Sequence, residues 1–429
     1  METVKEGSQG VFVEYVQLAL SRMGYPVRID GVFGSATRRA VTAVQNAYGL
    51  SADGIVGPIT WAVFTPFLRG FAYYTVKSGD TIYMIAKAFY TAPERILLAN
   101  TEVIPDQLPV GTRLIVPYGF PLIPTNVSYS YALVKLLVEG IRARYPFIGV
   151  NSAGTSVMGQ NLYYLTIGSG ENEVFYNGSH HGNEWITTPV LLKFLEEYAE
   201  EYINGGTLFG YSASELFNAT TLYMLPLVNP DGVDLVTGAI PKNSSFYTRA
   251  VTYAQNYPQI PFPNGWKANI DGIDPNLSYP AYWEQAREIK FSQGYISPAP
   301  RDYVGEAPLS AVESAAVYQF TLTHDFLLTL SYHTQGQVIY WQFLDYLPPN
   351  SREIGELFAD VSGYSLEETP YASSFAGYKD WYIMTYNRPG YTIEAGSGIN
   401  PLPIQDFPMI YRENAGILAS ALSVFIGTQ

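Results

Sequence analysis

The 429-residue chain contains no cysteine. That absence excludes disulfides, thiolate metal sites and thiol nucleophiles together. It leaves the redox compartment open, since a secreted chain can simply lack the residue. Histidine is scarce, with four copies, so any imidazole chemistry must come from a very small set. Charge is sparse as well: 14% of residues are charged, 24 Lys and Arg stand against 38 Asp and Glu, and the net charge is −14. No run of basic residues interrupts that balance, which argues against nucleic acid as a partner, because a phosphate-binding surface needs clustered cations. Long apolar runs are missing too. The longest, Ala415 to Gly427, is too short to span a bilayer and reads as a terminal helix, so no membrane insertion is expected. The opening METVKEGSQG lacks the basic-then-apolar order of a signal peptide. What is abundant is apolar surface: 47% of residues are hydrophobic, enough for folded cores, and the length suits two to four domains.

An internal repeat comes first. Asp30-Gly31-Val32-Phe33-Gly34 is echoed by Asp53-Gly54-Ile55-Val56-Gly57, and each echo follows a stretch of helical spacing, Val13/Val16/Gln17/Leu20 and Val41/Val44/Tyr48. Each Asp-Gly pair signals a turn into another helix. From residues alone this is a small helical bundle with two similar turns. The full pattern, DGVFGSAT and DGIVGPITW, resembles the peptidoglycan-binding domain of wall hydrolases, so residues 1–70 are expected to form a small all-α domain of that kind.

A second pattern runs from Tyr74-Thr-Val-Lys-Ser-Gly-Asp-Thr-Ile through Ile85/Ala86/Phe89 and Ile96/Leu97/Ala99/Asn100 to Leu114-Ile115-Val116-Pro117. It reads as strand, helix, helix, strand, closed where proline cannot continue a ladder. This βααβ segment, residues 71–118, resembles a LysM domain. The resemblance implies binding to N-acetylglucosamine-containing glycans through backbone hydrogen bonds beside the second strand. Phe71 to Gly119 carries four acidic and four basic residues, so attraction to a charged surface is not its binding principle. Residues 119–126, GFPLIPTN, read as a proline-punctuated linker.

From residue 127 to 429 the character changes. This part holds 29 of the acidic and 14 of the basic residues, so the acidity belongs to it. Helical spacing at Leu133/Leu136/Leu137/Ile141 alternates with strand-like runs such as Leu162 to Ile167, Val174 to Tyr176, Thr221 to Leu227 and Phe326 to Tyr332, the mark of an α/β sheet domain. The strand Val174-Phe175-Tyr176 leads into Asn177-Gly-Ser-His180-His181-Gly-Asn-Glu184-Trp185 and then a long helix. Three residues of separation across that junction let His181 and Glu184 converge on one cation, although a capping Glu beside a surface His has the same spacing. A second strand ends in His333 and a third, Gly390 to Ile393, ends in Glu394. Two histidines and two carboxylates at strand ends fit a hydrolytic zinc site with three ligands, an open position and a base. His324 reads as a helix C-terminal residue, and His180 either as a contact near the site or as a turn residue.

HHGNEW, NPDG at Asn229 to Gly232, GIDPNLSYP at Gly272 to Pro280, LSYHTQG and GYTIEAGSG resemble, in order, the motifs of the zinc carboxypeptidase family. That resemblance implies a central mixed sheet flanked by helices and one zinc ion held by His181, Glu184 and His333, with Glu394 as general base. The family's Trp-Arg pair is matched by Trp266-Lys267, which implies that Lys267 polarises the substrate carbonyl. Where the family places Arg after a motif Asn to grip a terminal carboxylate, this chain reads Asn276-Leu277. Leucine cannot hold a carboxylate, so a general C-terminal exopeptidase is not expected, while Asn276 keeps a substrate-binding role. Arg388 is the first candidate for a replacement cation and Lys379 the next. The family's mobile tyrosine matches Tyr371, with Tyr378 as the other choice and packing as the plain alternative for either.

With two wall-binding modules in front, the whole resembles the γ-D-glutamyl-L-diamino acid endopeptidases of spore-forming bacteria. The implied function is hydrolysis of the bond between γ-D-glutamate and meso-diaminopimelate in peptidoglycan stem peptides, by a protein associated with cell wall or spore, or else cytoplasmic. Two other readings stay open: a carboxypeptidase acting on free C-termini, and a catalytically inactive wall-binding or spore coat protein.

Overall fold

Each half of the sequence repeat folds around one glutamine. A computed structural model describes residues 1–427, and its first compact unit runs from Met1 to Gly149. Here α1 (Val11–Arg22), α2 (Ser35–Ala47) and α3 (Pro58–Arg69) form the expected bundle. Gln17 of α1 donates to Asp30 Oδ1 at 2.8 Å and accepts from the Asp30 and Gly31 amides at 3.0 Å. Gln45 of α2 repeats this on Asp53 Oδ1 at 3.0 Å and the Gly54 amide at 2.9 Å. Both turns need a left-handed residue, supplied by Gly31 (φ 68°) and Gly54 (φ 74°). The similar sequences are thus similar because each caps its turn with a buried amide side chain.

The LysM-like segment has the order read from its pattern: β1 (Phe71–Thr75), α4 (Ile82–Ala88), α5 (Pro93–Ala99) and β2 (Arg113–Pro117). The two strands pair antiparallel, Phe71 opposite Pro117. Asn100 ties helix to strand, donating to Ile96 O and Ile115 O and accepting from the Ile115 amide.

Two segments pack in ways the sequence reading did not anticipate. Residues 119–126 are not a free linker, because Leu122 and Ile123 are buried and Arg22 donates to the Pro121 and Leu122 carbonyls at 3.0 and 2.7 Å. Helix α6 (Tyr131–Arg144), expected with the large domain, packs within the first unit against α3, α5 and the β1–β2 pair. Its apolar residues Leu133, Leu137 and Ile141 are fully buried, and Tyr15 of α1 bonds Ser130 at its start.

The second unit begins at Val150 and is built on an eight-stranded mixed sheet. Its strands are β3 (Gly149–Thr155), β4 (Asn161–Gly168), β5 (Asn172–Gly178), β8 (Thr220–Leu225), β9 (Leu328–His333), β10 (Val338–Tyr340), β11 (Ser365–Glu367) and β12 (Gly390–Glu394). A small hairpin, β6 (Thr207–Leu208) and β7 (Tyr211–Ser212), stands apart. The spatial order is β11-β10-β12-β9-β5-β8-β4-β3. At its centre β12, β9, β5 and β8 run parallel. Every residue of β9 is buried, as expected of a parallel strand covered on both faces. Helices α7 (Thr187–Asn204) and Phe407–Ser423 pack together, and Tyr378–Tyr386 packs on β9 and β12.

Candidate functional site

Three neighbouring parallel strands deliver the site. Glu394 closes β12 directly opposite His333, which closes β9. Gly178 of β5 pairs with Tyr332, so the chain leaving β5 carries His181 and Glu184 to the same sheet end. In parallel sheets the loops after the strand C-termini form the natural ligand crevice. His181 caps a short 3-10 turn, Gly182–Glu184, and Glu184 is 1% exposed. The NPDG motif supports this turn: Asn229 donates to His180 O at 3.0 Å and to Ala268 O at 2.9 Å.

Glu184 faces both imidazoles. Its Oε1 lies 2.9 Å from His181 Nδ1 and its Oε2 2.9 Å from His333 Nδ1, and one donor atom from each residue falls within 4.8 Å of the others. His181 Nε2 sits 3.0 Å from Asp274 Oδ1. With Asp274 ionised, that bond fixes the proton on Nε2 and leaves Nδ1 as the lone-pair donor. Burial works against the Asp274 charge, but His181 and Lys267 outweigh it and hold the carboxyl well below its usual range. Glu184 behaves alike: burial opposes ionisation, and His181 and Lys267 overcome it. Two imidazole nitrogens and one carboxylate, buried and convergent, suit zinc with a position left open.

Beside this cluster lies a cavity of about 220 Å³ whose wall includes Lys267, Asn276, Leu277, Arg301, Lys379 and Glu394. Lys267 Nζ is 2.8 Å from Glu184 Oε1. Burial lowers its pKa, yet Glu184 and Glu394 more than compensate, and the ammonium stays charged. Burial, reinforced by the Glu184 charge, pushes the Glu394 carboxyl up to about 7. Arg301 pairs with Asp302 at 2.6 Å, and Lys290 holds the other Asp302 oxygen at 2.6 Å. Lys379 donates to Gln342 O and Asp380 Oδ1 at 2.7 and 2.6 Å. Under the loop joining Lys267 to Asp274, Asn269 donates to Glu313 at 2.8 Å, and Asp231 holds Ser156 and the Met158 amide. Burial raises Glu313 to about 7 and Asp231 to about 6.

The sequence reading places His181, Glu184, His333, Glu394, Lys267 and Asn276 at this site, and the fold brings them together. Arg388 does not belong there. Six residues along an extended strand span roughly 20 Å, so Arg388 lies at the opposite end of β12, bonded to Asp325 at 2.7 Å and Phe326 O at 2.8 Å. Tyr371 does not itself line the cavity: it is 65% exposed, edge-on to Phe375, and lines an adjoining depression that shares Thr369 with it, while its neighbours Pro370 and Ser373 line the cavity. Tyr378 is core, bonded to Thr321. His180 is fully buried, bonded to Tyr279 at 3.0 Å and stacked on the His333 ring, so it backs a ligand rather than meeting substrate. His324 lies just past the helix Val312–Leu322, against Glu173. Sequence reasoning missed Asp274 and Arg301. Asp274 had a signal, standing two residues before Asn276; Arg301, in Pro298-Ala-Pro-Arg-Asp302, had none.

A family model described as zinc carboxypeptidase matches residues 135–414, and models for a putative peptidoglycan binding domain and a LysM domain match residues 9–64 and 74–117. The chain therefore belongs to the zinc carboxypeptidase family and is a zinc metallopeptidase preceded by peptidoglycan-binding modules. It is similar to gamma-D-glutamyl-L-diamino acid endopeptidase 1 of Lysinibacillus sphaericus, with 41% identity over 301 residues that cover 70% of this chain and 74% of that protein. It is also similar to the uncharacterised protein YqgT of Bacillus subtilis, with 37% identity over 297 residues covering 68% of this chain and 77% of that one. The crystal structure of carboxypeptidase A from Helicoverpa armigera shares the fold, with a TM-score of 0.53 at 17% identity, over 92% of this chain and 96% of that one. Among the described residues no helix is long and apolar enough to cross a membrane.

Proposed function

We propose that the chain hydrolyses the amide between γ-D-glutamate and the diamino acid, meso-diaminopimelate, of peptidoglycan stem peptides. The observation that carries this reading is the cavity wall. Leu277 lines it next to Asn276, where a free C-terminus would need a cationic fork, while Arg301 and Lys379, each paired with a neighbouring aspartate, stand elsewhere on the same wall. A stem peptide brings carboxylates beyond the scissile bond, and these two cations suit them. The similarity to the Lysinibacillus sphaericus endopeptidase supports the same bond.

His181, Glu184 and His333 would hold the single zinc ion. When bound there, zinc supplies Lewis acidity and brings the pKa of water toward neutrality. Glu394, its pKa near 7, takes the proton of the attacking water and returns it to the leaving amine. Lys267 is a compact charge for the carbonyl oxygen as it becomes anionic, and it lacks the planar fork of arginine. Asn276 hydrogen-bonds the substrate beside Leu277. The modules in front raise the local concentration of wall peptide at this site.

Mass spectrometry of muropeptide digests tests the proposal. The intact enzyme should split stem peptides between glutamate and diaminopimelate, including stems whose C-terminus is blocked. Glu394→Gln should retain zinc and lose about 10²- to 10⁴-fold in kcat. Full activity in that variant sinks the mechanism, and release of C-terminal residues from unblocked peptides alone sinks the substrate assignment.

A further inference from the structure

The first unit holds a larger cavity than the catalytic one, about 610 Å³, within the size range of small-ligand sites. Its wall joins both modules: Arg22 and Tyr48 come from the peptidoglycan-binding match and Tyr90 from the LysM match, while Phe67, Tyr118 and Phe120 lie outside both. The aromatic rings are ordered. Phe67 stacks on Tyr118 at 4.7 Å, Tyr118 on Phe120 at 5.4 Å, and the Arg22 guanidinium lies over Phe120 at 4.6 Å.

The cavity is preformed. Arg22 donates to Phe67 O and Leu68 O on one side and to Pro121 O and Leu122 O on the other. Gly119 approaches the Tyr90 carbonyl so closely that a Cβ would lie 1.9 Å from it, so any other residue would push the chain leaving β2 away from the turn after α4. Tyr90 is held at φ 52° and is 90% exposed, and Tyr48 is 50% exposed. A bulky residue kept in the left-handed region with its ring in water is a costly arrangement of the sort that collects at ligand sites.

We infer that this junction is a glycan-binding site, taking a short run of N-acetylated hexosamine units from the peptidoglycan backbone. The chemistry fits on three counts. Hexopyranose rings have an apolar face that lies flat on exposed aromatic rings, as Tyr48 and Tyr90 offer. Among the described residues, Arg22 is the only charged residue lining the cavity, and its guanidinium is engaged with carbonyls, which suits a neutral polymer. The cavity is also continuous with two modules that are themselves directed at peptidoglycan, and the inference rests on that reading. The stacked trio lies outside both modules' matches, and the two exposed rings come one from each, Tyr48 and Tyr90, so the site exists only where the two are joined.

The test uses the full chain with two probes, a β-1,4-linked N-acetylglucosamine tetramer and peptide-free glycan strands. Tyr48→Ala combined with Tyr90→Gly removes both exposed rings, and the glycine relieves the left-handed strain. Calorimetry should show about tenfold weaker binding, from roughly 0.7 kcal/mol per aromatic ring, with muropeptide hydrolysis unchanged. Hydrogen exchange should show that the tetramer protects residues 86–92 and 117–121 in the parent and not in the variant. Unchanged affinity in the variant, protection confined to other segments, or capture of an aromatic peptide in place of sugar overturns the junction site. If the parent binds neither probe, the glycan-directed reading of both modules falls with it.

Discussion

At the position of Leu277 no side chain can grip a free C-terminus bidentately, and under the proposed function Arg301 and Lys379 on the same cavity wall would take the substrate's other carboxylates. Arg301 reaches the cavity from a Pro-rich loop whose Pro300 carbonyl accepts from the Lys267 and Ala268 amides. Removing it leaves Asp302 still paired with Lys290, so Arg301→Ala should fold normally. Its KM for muropeptides should rise about tenfold, the loss of one charge-assisted contact, with kcat little changed. Arg388→Ala is the contrast: it should leave KM and kcat alone and cost no more than about 1 kcal/mol of stability, read by urea unfolding. Steady-state kinetics on both variants separates the assignments. The convergence of His181, Glu184, His333 and Glu394 was legible because each follows a strand in a recognisable phrase. Of the two cations named from the sequence, the second, Lys379, lines the cavity; the first, Arg388, does not, because the strand already read over Gly390–Ile393 carries it to the far end of β12, and Arg301 had no signal at all. Asp274 stood in plain sight beside Asn276, yet its partner is an imidazole 93 residues away.

At the level of elements, the site depends on the loop that carries both Lys267 and Asp274, and a buried carboxylate, Glu313, holds that loop through Asn269. Glu313 is fully buried and its pKa is raised to about 7. The folded protein therefore binds that proton more tightly than the unfolded chain, whose glutamates titrate near 4.3. The resulting stability is full below about pH 4.3 and is lost as pH rises through about 7. Asp231, raised to about 6, acts in the same direction. The thermal midpoint should thus decline between pH 5 and 8, and Glu313→Gln should flatten the decline by on the order of 3 kcal/mol. A slope identical to the parent's would show that Glu313 does not carry the effect. Periodicity read the helices and strands of this domain well. It did not say where α6 packs, because an apolar stripe announces that a helix is buried without saying against what, and it took residues 119–126 for a linker because prolines conceal the buried Leu122 and Ile123.

For the whole molecule, the −14 charge and the division into units describe two kinds of attachment to one polymer. The acidic residues lie mostly in the catalytic part, and the peptidoglycan-binding and LysM modules in front carry little net charge. Peptide-free glycan strands added in excess should slow the digestion of intact sacculi several-fold and leave hydrolysis of soluble muropeptides unchanged; equal inhibition of both would contradict that separation. The central sheet has a further consequence in the order of synthesis. Of the strands that bear the site, β12 is the last to be made and an interior one, inserting between β10 and β9. Until Gly390–Glu394 has emerged, β10 and β11 have no sheet to join, His333 borders an open edge, and Glu394, the proposed general base, is missing. A nascent chain can therefore fold its wall-binding modules early while remaining unable to cut, and it gains hydrolytic competence in one late, long-range step.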